Sequence, residues 1–318
     1  MVNDYWDRLK NGKMPIRPTL CKCGTVAEGV VEATPVVWQG KLLRFEWVRP
    51  NTWGEGHGNR RDGYYHFVDM ETEREVGKPF ALAHSFGCAY EEDGVMYVHG
   101  VCGSDGGTNI IDVLWSRDLC EWQCKTALVL DDDLHVYNTS VCRGKEGYVM
   151  TVEVAGAKEK VGVPFTVFFA VSPDLLEWTL LSADKHVFLR ERYTACPSVR
   201  YYDGWYYMVY LEGLPFNRWT SYIVRSRNLI DFEVGLKNPF MMFNEGDKLP
   251  LREGLFDAPA LERMKNAVNC NNSDVDFCDF EGRTVILYSW GNQMDAEYLA
   301  VAEYRGTLQE LLESYFES

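Results

Sequence analysis

Two carboxylates stand two residues apart in the stretch NNSDVDFCDFEGRTVILYSWGNQ. Asp274 and Asp276 fall at the start of a predicted strand, where residues i and i+2 point to the same face. A glycine turn follows, and the return strand brings Trp290, Asn292 and Gln293 back to the same end. Two acids, an aromatic ring and two amides are the groups that a sugar-binding pocket needs. We therefore expect a carbohydrate site here.

Other carboxylates interrupt apolar segments of the chain. Glu153 follows YVMTV and Glu212 follows YYMVYL, where a hydrophobic residue would be favourable and burying a charge is costly. One reading is that each acid pairs with an arginine, for which Arg192 and Arg49 are candidates. The other reading is that these acids face a functional pocket.

The elements that would position these residues repeat along the chain. Five hairpins carry a glycine at the turn, at Gly40, Gly94, Gly147, Gly204 and Gly282, spaced by 54, 53, 57 and 78 residues. Three of them are followed by a related turn, LWSRDLCEW, AVSPDLLEW or VRSRNLIDF. A unit of this length with four short strands is typical of a propeller blade. A β-sandwich also has short strands, but it does not explain the regular period.

The repeat predicts an all-β fold, a single five-bladed β-propeller domain spanning residues 1–318. The predicted blades are residues 32–80, 84–130, 136–187, 192–243 and 268–306. Residues 244–267 are predicted as a partly helical insertion, and 307–316 as a C-terminal helix capped by Thr307. The fifth blade lacks one strand, which we expect the segment around residues 25–31 to supply.

In a propeller, the start of each blade's first strand and the end of its second strand converge on one axial pocket. The polar residues predicted at these positions are Glu32, Arg49, His84, Asn138, Glu153, Arg192, Glu212, Asp274, Asp276, Trp290, Asn292 and Gln293. His84 could equally be a core or rim histidine, Asn138 a turn cap, and Trp290 packing for the channel. Several carboxylates around one pocket indicate glycoside chemistry, which needs one acid to protonate the leaving oxygen and a second as base or nucleophile.

Composition excludes several kinds of partner. The net charge is −15, and the longest basic cluster is Arg60–Arg61, so nucleic acid and anionic membrane surfaces are not expected to bind. No apolar run approaches the ~18 residues of a membrane span. The N-terminus has charges where a signal peptide would be apolar, so we expect a cytoplasmic protein. The oligomeric state is not indicated.

The ten cysteines are scattered and are predicted to be reduced. Cys21 with Cys23, and Cys120 with Cys124, could ligate a metal, but no histidine is nearby in the sequence. No metal and no cofactor are therefore predicted. A calcium ion in the channel is an alternative that no sequence motif supports.

The strand openers TPVVWQGK, ACPSVRYYDGWYYMVY and DVDFCDFEGR, together with the S-x-D/N-L-x-x-W turns, resemble the five-bladed β-propeller glycosidases of glycoside hydrolase families 43 and 32. The resemblance covers nearly the whole chain. It implies a propeller fold, a carbohydrate substrate and a triad of acids in the axial pocket.

The sequence departs from the family pattern at two of the three acids. The resemblance implies a catalytic Asp before the proline of the first inner strand, where this chain has Thr34, with Glu32 two residues earlier. The family 32 acid in E-C-P-D corresponds to Ala195 in ACPS, and its Asp to Ser198. Only Asp276 has a family-like offset from its strand.

From these residues we predict a glycoside hydrolase that removes a terminal sugar from a small saccharide. Glu212 is predicted as general acid, Glu32 as base or nucleophile and Asp276 as the orienting carboxylate, with Asp274 and Glu153 in reserve. The residues predicted to bind substrate are Arg49, His84, Asn138, Arg192, Trp290, Asn292 and Gln293. The alternatives are a family 130-like phosphorylase, with Arg49, Arg192 and His84 around a phosphate, and a non-catalytic sugar-binding propeller. The sugar, the linkage and the stereochemistry stay open.

Overall fold

The computed structural model describes residues 17–49, 63–103 and 108–317 and is mostly β-structure. The Arg60–Arg61 pair and part of the first predicted blade lie outside the described residues. Among the described helices, none is both long and apolar enough to cross a membrane. The predicted all-β class is confirmed.

Antiparallel strands in chain order form sheet units of four. The first unit is a sheet of β2 Thr34–Trp38, β3 Lys41–Val48, β4 Tyr64–Asp69 and β5 Arg74–Phe80. The second is a separate sheet of β6 His84–Glu92, β7 Val95–Cys102, β8 Ile110–Ser116 and β9 Gln123–Val129. The third is a separate sheet of β10 Leu134–Arg143, β11 Tyr148–Gly156, β12 Thr166–Ser172 and β13 Thr179–Leu180. The fourth contains β14 Thr194–Tyr202, β15 Trp205–Leu214, β16 Arg218–Ser226 and β17 Phe232–Val234. A single parallel bridge, Trp219 to Asn271, joins it to the fifth, so these two units form one eight-stranded sheet.

The fifth unit combines both ends of the chain. Its strands are β18 Asn271–Phe280, β19 Arg283–Gly291 and β20 Glu297–Tyr304, with β1 Cys21–Glu28 paired antiparallel to β20. The prediction that an N-terminal segment supplies the missing strand is confirmed, although the strand begins and ends earlier than the predicted 25–31. Thr25 Oγ1 accepts a hydrogen bond of 2.7 Å from Trp290 Nε1, which fixes β1 against the same unit.

The first strands of the five units contact one another in a cycle. β2 contacts β6, β6 contacts β10, β10 contacts β14, β14 contacts β18, and β18 contacts β2. Apolar side chains fill the spaces between successive units, with Trp47, Tyr65 and Phe67 among the fully buried ones. This order of contacts places the starts of the first strands around one shared space.

Four of these first strands have a β-bulge near their start. The pairing register shifts between Ser85 and Cys88, Val136 and Thr139, Ala195 and Ser198, and Ser273 and Asp276. A bulge turns a side chain away from the face that strict alternation would give it. In these strands it aims residues such as Cys196 and Asp274, both with positive φ, at the shared space.

The repeated polar turns have one hydrogen-bonding plan. Ser116 Oγ accepts from Leu119 N–H at 2.9 Å, and the same bond recurs from Leu175 to Ser172 and from Leu229 to Ser226. The acidic or amide residue two positions after the serine accepts hydrogen bonds from the N–H groups two and three positions after itself. The repeat therefore sets the geometry of these turns.

Short helices occur between two strands of the third unit, in the insertion and at the C-terminus. α1 is Lys158–Val161, a 3₁₀-helix spans Glu245–Lys248, α2 is Ala258–Asn266 and α3 is Leu308–Ser314. Thr307 and Glu310 form the capping box that begins α3, as the sequence predicted. Leu308, Leu311 and Leu312 are buried against the fifth unit.

Candidate functional site

A pocket that is open to solvent lies where the first strands start. Its lining residues come from all five sheet units: Glu32, Ala33, Thr34, Gly87, Asn138, Thr139, Cys196, Pro197, Ser198, Asp274 and Asp276. Four of the sequence-predicted residues are therefore in the lining, namely Glu32, Asn138, Asp274 and Asp276.

Glu32 and Asp274 place two carboxyl groups on this pocket. Both residues have positive φ, 58° for Glu32 and 50° for Asp274, a conformation uncommon for residues other than glycine. Asp274 Oδ2 accepts a hydrogen bond of 2.6 Å from Ser273 Oγ, which in turn accepts one of 3.0 Å from Gln293 Nε2. Gln293 thus reaches the site through Ser273, and it orients the serine hydroxyl towards Asp274.

The surroundings of the Glu32 carboxyl group disfavour its ionised form. Burial raises its pKa well above the ordinary value, and the negative charge of Asp274 raises it further, while Arg49 opposes both. Its Oε2 is buried and has no hydrogen-bond partner among the described residues. A protonated carboxyl group beside an ionisable one is the arrangement that acid–base catalysis needs.

Glu153 lies behind the pocket wall and is connected to Glu32 by Asn138. The Asn138 Nδ2 amide donates to Glu153 Oε2 at 3.1 Å and to Glu32 Oε1 at 3.5 Å. The Cys196 N–H donates to the same Glu153 oxygen at 2.6 Å. Burial raises the pKa of Glu153 to about 8, even though these two hydrogen bonds lower it. Asn138 therefore holds two carboxyl groups in fixed positions.

Asp276 lies between this pocket and a second cavity with about 730 Å³ of empty space. Arg200 Nη2 donates to Asp276 Oδ1 at 2.7 Å, and the Phe277 N–H donates to the same oxygen at 2.9 Å. One oxygen is thus committed to an ion pair within the channel. Asp276 has the predicted position, and this pairing suits an orienting carboxylate rather than a base.

Glu212 is the predicted acid that lies outside the lining. Its Oε1 pairs with Arg192 Nη1 at 3.2 Å, and its Oε2 accepts from Tyr210 Oη at 3.2 Å. Side chains alternate along β15, so Glu212 follows Met208 and Tyr210, which pack between the third and fourth units. The arrangement favours the structural ion pair that the sequence left open, and it argues against the predicted role of general acid.

The other cationic residues predicted for the site also pair with acidic residues. Arg49 is 4% exposed and pairs with Glu297, although it also acts on the charge of Glu32. His84 Nε2 lies 3.1 Å from Asp112 Oδ2 at the end of the second unit. Arg49 and His84 are not in the pocket lining. The predicted phosphate cluster of Arg49, Arg192 and His84 is therefore not assembled by the described residues.

The predicted sugar contacts of Trp290 and Asn292 are wrong. Trp290 is fully buried and stacks on Tyr298 with 4.3 Å between ring centroids, so its ring cannot lie under a sugar. Asn292 Oδ1 accepts from the N–H groups of Met294, Asp295 and Ala296 and shapes the loop after β19. Period and spacing placed both residues at the correct end of the strand, but they did not show which face each occupies.

A set of aromatic rings beside the pocket was not predicted from the sequence. Successive rings lie 4.7 to 5.6 Å apart in the order Trp47, Phe86, Tyr137, Phe165 and Tyr193. Burial raises the pKa of Tyr193, and Cys196, Glu153 and Asp274 act in the same direction, which places this phenol near the acids. Phe86 and Tyr137 fall at the bulges of their first strands, and this position in the repeat is the signal that could have identified them.

Solved structures of carbohydrate-active proteins share this arrangement of strands. The chain is 14% identical to a structure from the GH130 family of mannoside phosphorylases, which contains glycoside hydrolases that target β-1,2 mannosidic linkages in Candida mannan; the match covers 87% of this chain and 85% of that one, with a TM-score of 0.54. It is 12% identical to the Bombyx mori GH32 β-fructofuranosidase, over 95% of this chain and 66% of that one, with a TM-score of 0.53. It is 9% identical to the GH43B protein of the Bacteroides ovatus xyloglucan locus, over 90% and 54% of the two chains, with a TM-score of 0.56.

The chain has the fold of these glycoside hydrolase-like propeller proteins. The resemblance inferred from the strand openers is confirmed as that of a divergent relative. No family model matches the chain, and no curated protein matches it.

Proposed function

We propose that this protein is a glycoside hydrolase that removes a terminal sugar from a small saccharide. The observation that carries the proposal is that the carboxyl groups of Glu32 and Asp274 line one pocket at the common end of the first strands. The fold shared with glycoside hydrolase-like proteins supports the same class of substrate. We further propose that the five sheet units are the blades of one five-bladed propeller, which the cyclic contacts of their first strands support.

Glu32 is the proposed general acid. Burial raises its pKa, and no described residue hydrogen-bonds to its Oε2, so its surroundings favour the protonated carboxyl group that a general acid needs. Asp274 is the proposed base or nucleophile, because it faces the same pocket and Ser273 fixes its orientation. When Glu32 gives up its proton to the leaving oxygen, that oxygen departs as a neutral alcohol.

Neighbouring groups would hold the sugar and tune the acids. The Asn138 amide faces the pocket between Glu32 and Glu153, where it can also donate to a sugar hydroxyl. Asp276 pairs with Arg200 and marks the inner end of the pocket. The partly exposed rings of Tyr137 and Phe165, 4.7 Å apart, offer an apolar surface for a sugar ring face.

The pairing of the cations favours hydrolysis over phosphorolysis. A phosphorylase needs positive charge at the phosphate site, and no lysine, arginine or histidine occurs in the pocket lining among the described residues. Arg49, Arg192 and His84 are neutralised by Glu297, Glu212 and Asp112, respectively. A binding-only protein is disfavoured because two carboxyl groups face the same open pocket.

A panel of nitrophenyl furanosides and pyranosides, assayed with and without phosphate, tests the proposal. We expect turnover of at least one glycoside that does not depend on phosphate, and a loss of more than ~100-fold in Glu32→Gln. Glu212→Gln is the matched control, because it changes the same group outside the pocket and should retain most of the activity.

Each other outcome points to a different conclusion. Turnover that requires phosphate would make the protein a phosphorylase. Saturable sugar binding without turnover would make it a binding protein. A loss in Glu212→Gln as large as that in Glu32→Gln would return the acid role to Glu212.

A further inference from the structure

A second cluster of reactive side chains lies at one end of the second sheet unit, outside the pocket lining. His84 begins β6, Asp112 belongs to β8 and Cys124 to β9. One ligand atom of each residue, the imidazole nitrogen, a carboxylate oxygen and the thiol sulfur, lies within 4.8 Å of the other two. The first and last of these residues, His84 and Cys124, are 40 positions apart in the sequence, so only the folding of the sheet brings the three together.

The strand register explains why the three side chains share a face. His84 pairs directly with Cys102, while Asp112 pairs with Gly100 on one side and Thr126 on the other. Cys124 stands two residues before Thr126 and therefore points to the same face as Asp112. Gly100 contributes no side chain at the centre, where a Cβ would meet the Tyr65 hydroxyl at 2.1 Å.

The hydrogen bonds around the cluster orient its ligand atoms. His84 Nδ1 lies 3.4 Å from the Leu82 carbonyl oxygen and Nε2 lies 3.1 Å from Asp112 Oδ2, so the imidazole ring is held between a carbonyl group and a carboxylate. Thr126 Oγ1 donates to the other oxygen, Asp112 Oδ1, at 3.0 Å. An imidazole oriented by a carbonyl and a carboxylate oriented by a hydroxyl are the usual supports of a metal site.

We propose that His84 Nε2, Asp112 Oδ2 and Cys124 Sγ bind a zinc ion, with the Cys102 thiol as the fourth ligand. A mixed nitrogen, sulfur and oxygen set favours Zn²⁺ over the hard cations Mg²⁺ and Ca²⁺. Zinc bonds of about 2.0–2.3 Å require ligand atoms about 3.3–3.8 Å apart, so the present separations need only small side-chain rotations. Cys102 pairs with His84 across the two strands, and its thiol hydrogen-bonds with the Asp112 carboxylate, so it lies beside this group.

The ion would tie β6, β8 and β9 together at one end of the unit. Cys124 is exposed and His84 and Asp112 are nearly buried, so the site has a route to solvent on one side and a dry wall on the other. The alternative is that His84 and Asp112 form an ordinary hydrogen-bonded pair, in which the cysteines would have no role.

The test is a titration of the metal-free full chain with Zn²⁺ in competition with a chromophoric chelator, repeated with Co²⁺ to detect thiolate ligation by its charge-transfer absorption. We expect one zinc per chain, at least 10-fold weaker binding in Cys124→Ser and Asp112→Asn, and a cobalt–thiolate band that is weaker in Cys124→Ser and absent when Cys102→Ser is added to it. Cys120→Ser is the matched control, because Cys120 lies four residues away in the same turn region and outside the cluster.

Circular dichroism of each variant checks that the fold is retained. Equal zinc binding in wild type, Cys124→Ser and Cys120→Ser would overturn the proposal, as would an absence of stoichiometric zinc binding in the wild type. Equal binding of Ca²⁺ and Zn²⁺ would also overturn it, because a thiolate site should discriminate between them.

Discussion

Glu32 and Glu153 are carboxyl groups whose pKa the fold raises. Both are buried, and Asp274 adds a negative charge that raises the pKa of each. An unfolded chain would ionise these groups above about pH 4.5, whereas the folded chain holds their protons to higher pH. The acidic pocket therefore makes the stability of the protein depend on pH.

The replacement Glu153→Gln should remove part of this dependence. The folded pKa of Glu153 is about 8, above its unfolded value, so its contribution to stability is full below pH 4.5 and is lost as the pH rises towards 8. The loss amounts to ~1.4 kcal/mol per pH unit for each proton retained. Gln can still accept the hydrogen bonds from Cys196 and Asn138, so the variant changes the titration and keeps the packing.

Urea unfolding at several pH values between 5 and 8 measures this effect. We expect the wild type to lose stability across the range and Glu153→Gln to lose less of it. Parallel curves for the two proteins would show that Glu153 is already ionised in the folded state.

At the residue scale, the sequence predicted which acidic residues line the pocket, but it was a poorer guide to the role of each one. Glu32, Asn138, Asp274 and Asp276 were predicted from their positions before or within the first strands, and these positions line the pocket. Glu212 was placed there by the same reasoning, but it ends a second strand, where the facing side depends on packing between units. No pattern in one sequence reports which neighbouring side chain, here Tyr210, accompanies it.

At the scale of elements, the insertion before β18 is anchored to β1 by one buried charge. Asp247 is fully buried and accepts hydrogen bonds from Lys22 Nζ at 2.6 Å, Tyr288 Oη at 2.8 Å and Asn269 Nδ2 at 2.8 Å. These partners come from three separate parts of the chain. The anchor thereby couples the N-terminal strand to the unit that completes the sheet.

The replacement Asp247→Asn should destabilise the protein by about 3–5 kcal/mol, because it leaves the Lys22 ammonium group buried without its counter-charge. Glu245→Gln is the control: it alters an exposed carboxylate two residues away in the same 3₁₀-helix. Unfolding in urea measures both. Equal stability of Asp247→Asn and Glu245→Gln would mean that the buried pair does not hold the insertion in place.

The elements were predicted well wherever the repeat was strong. The glycine turns, the serine-based turns and the capped C-terminal helix follow from local sequence, and the structure contains them. The bulges were not predicted, because the alternation of side chains in the sequence does not show where a strand contains an extra residue. Yet the bulges at Cys196 and Asp274 aim side chains at the pocket, so the finest detail of the site depended on them.

At the scale of the whole molecule, the regular spacing of the hairpins predicted how the units follow one another. The pairing of β1 with β20 could be anticipated because the last unit was one strand short. The zinc cluster could not be anticipated, since His84 and Cys124 are separated by two strands in the sequence. Proximity in sequence is a poor guide in a fold whose contacts are mostly long-range.

The proposed enzyme depends on one claim about the whole pocket, namely that Glu32 gives a proton to the leaving group while Asp274 acts on the sugar. A poor leaving group needs that proton, whereas an activated one such as dinitrophenolate departs without it. The decisive measurement is kcat/KM of Glu32→Gln and Asp274→Asn on aryl glycosides of increasing leaving-group acidity. We expect the loss of kcat/KM in Glu32→Gln to shrink as the leaving group becomes more acidic, and the loss of kcat/KM in Asp274→Asn to remain large for every leaving group. Equal defects on all leaving groups in both variants would contradict it.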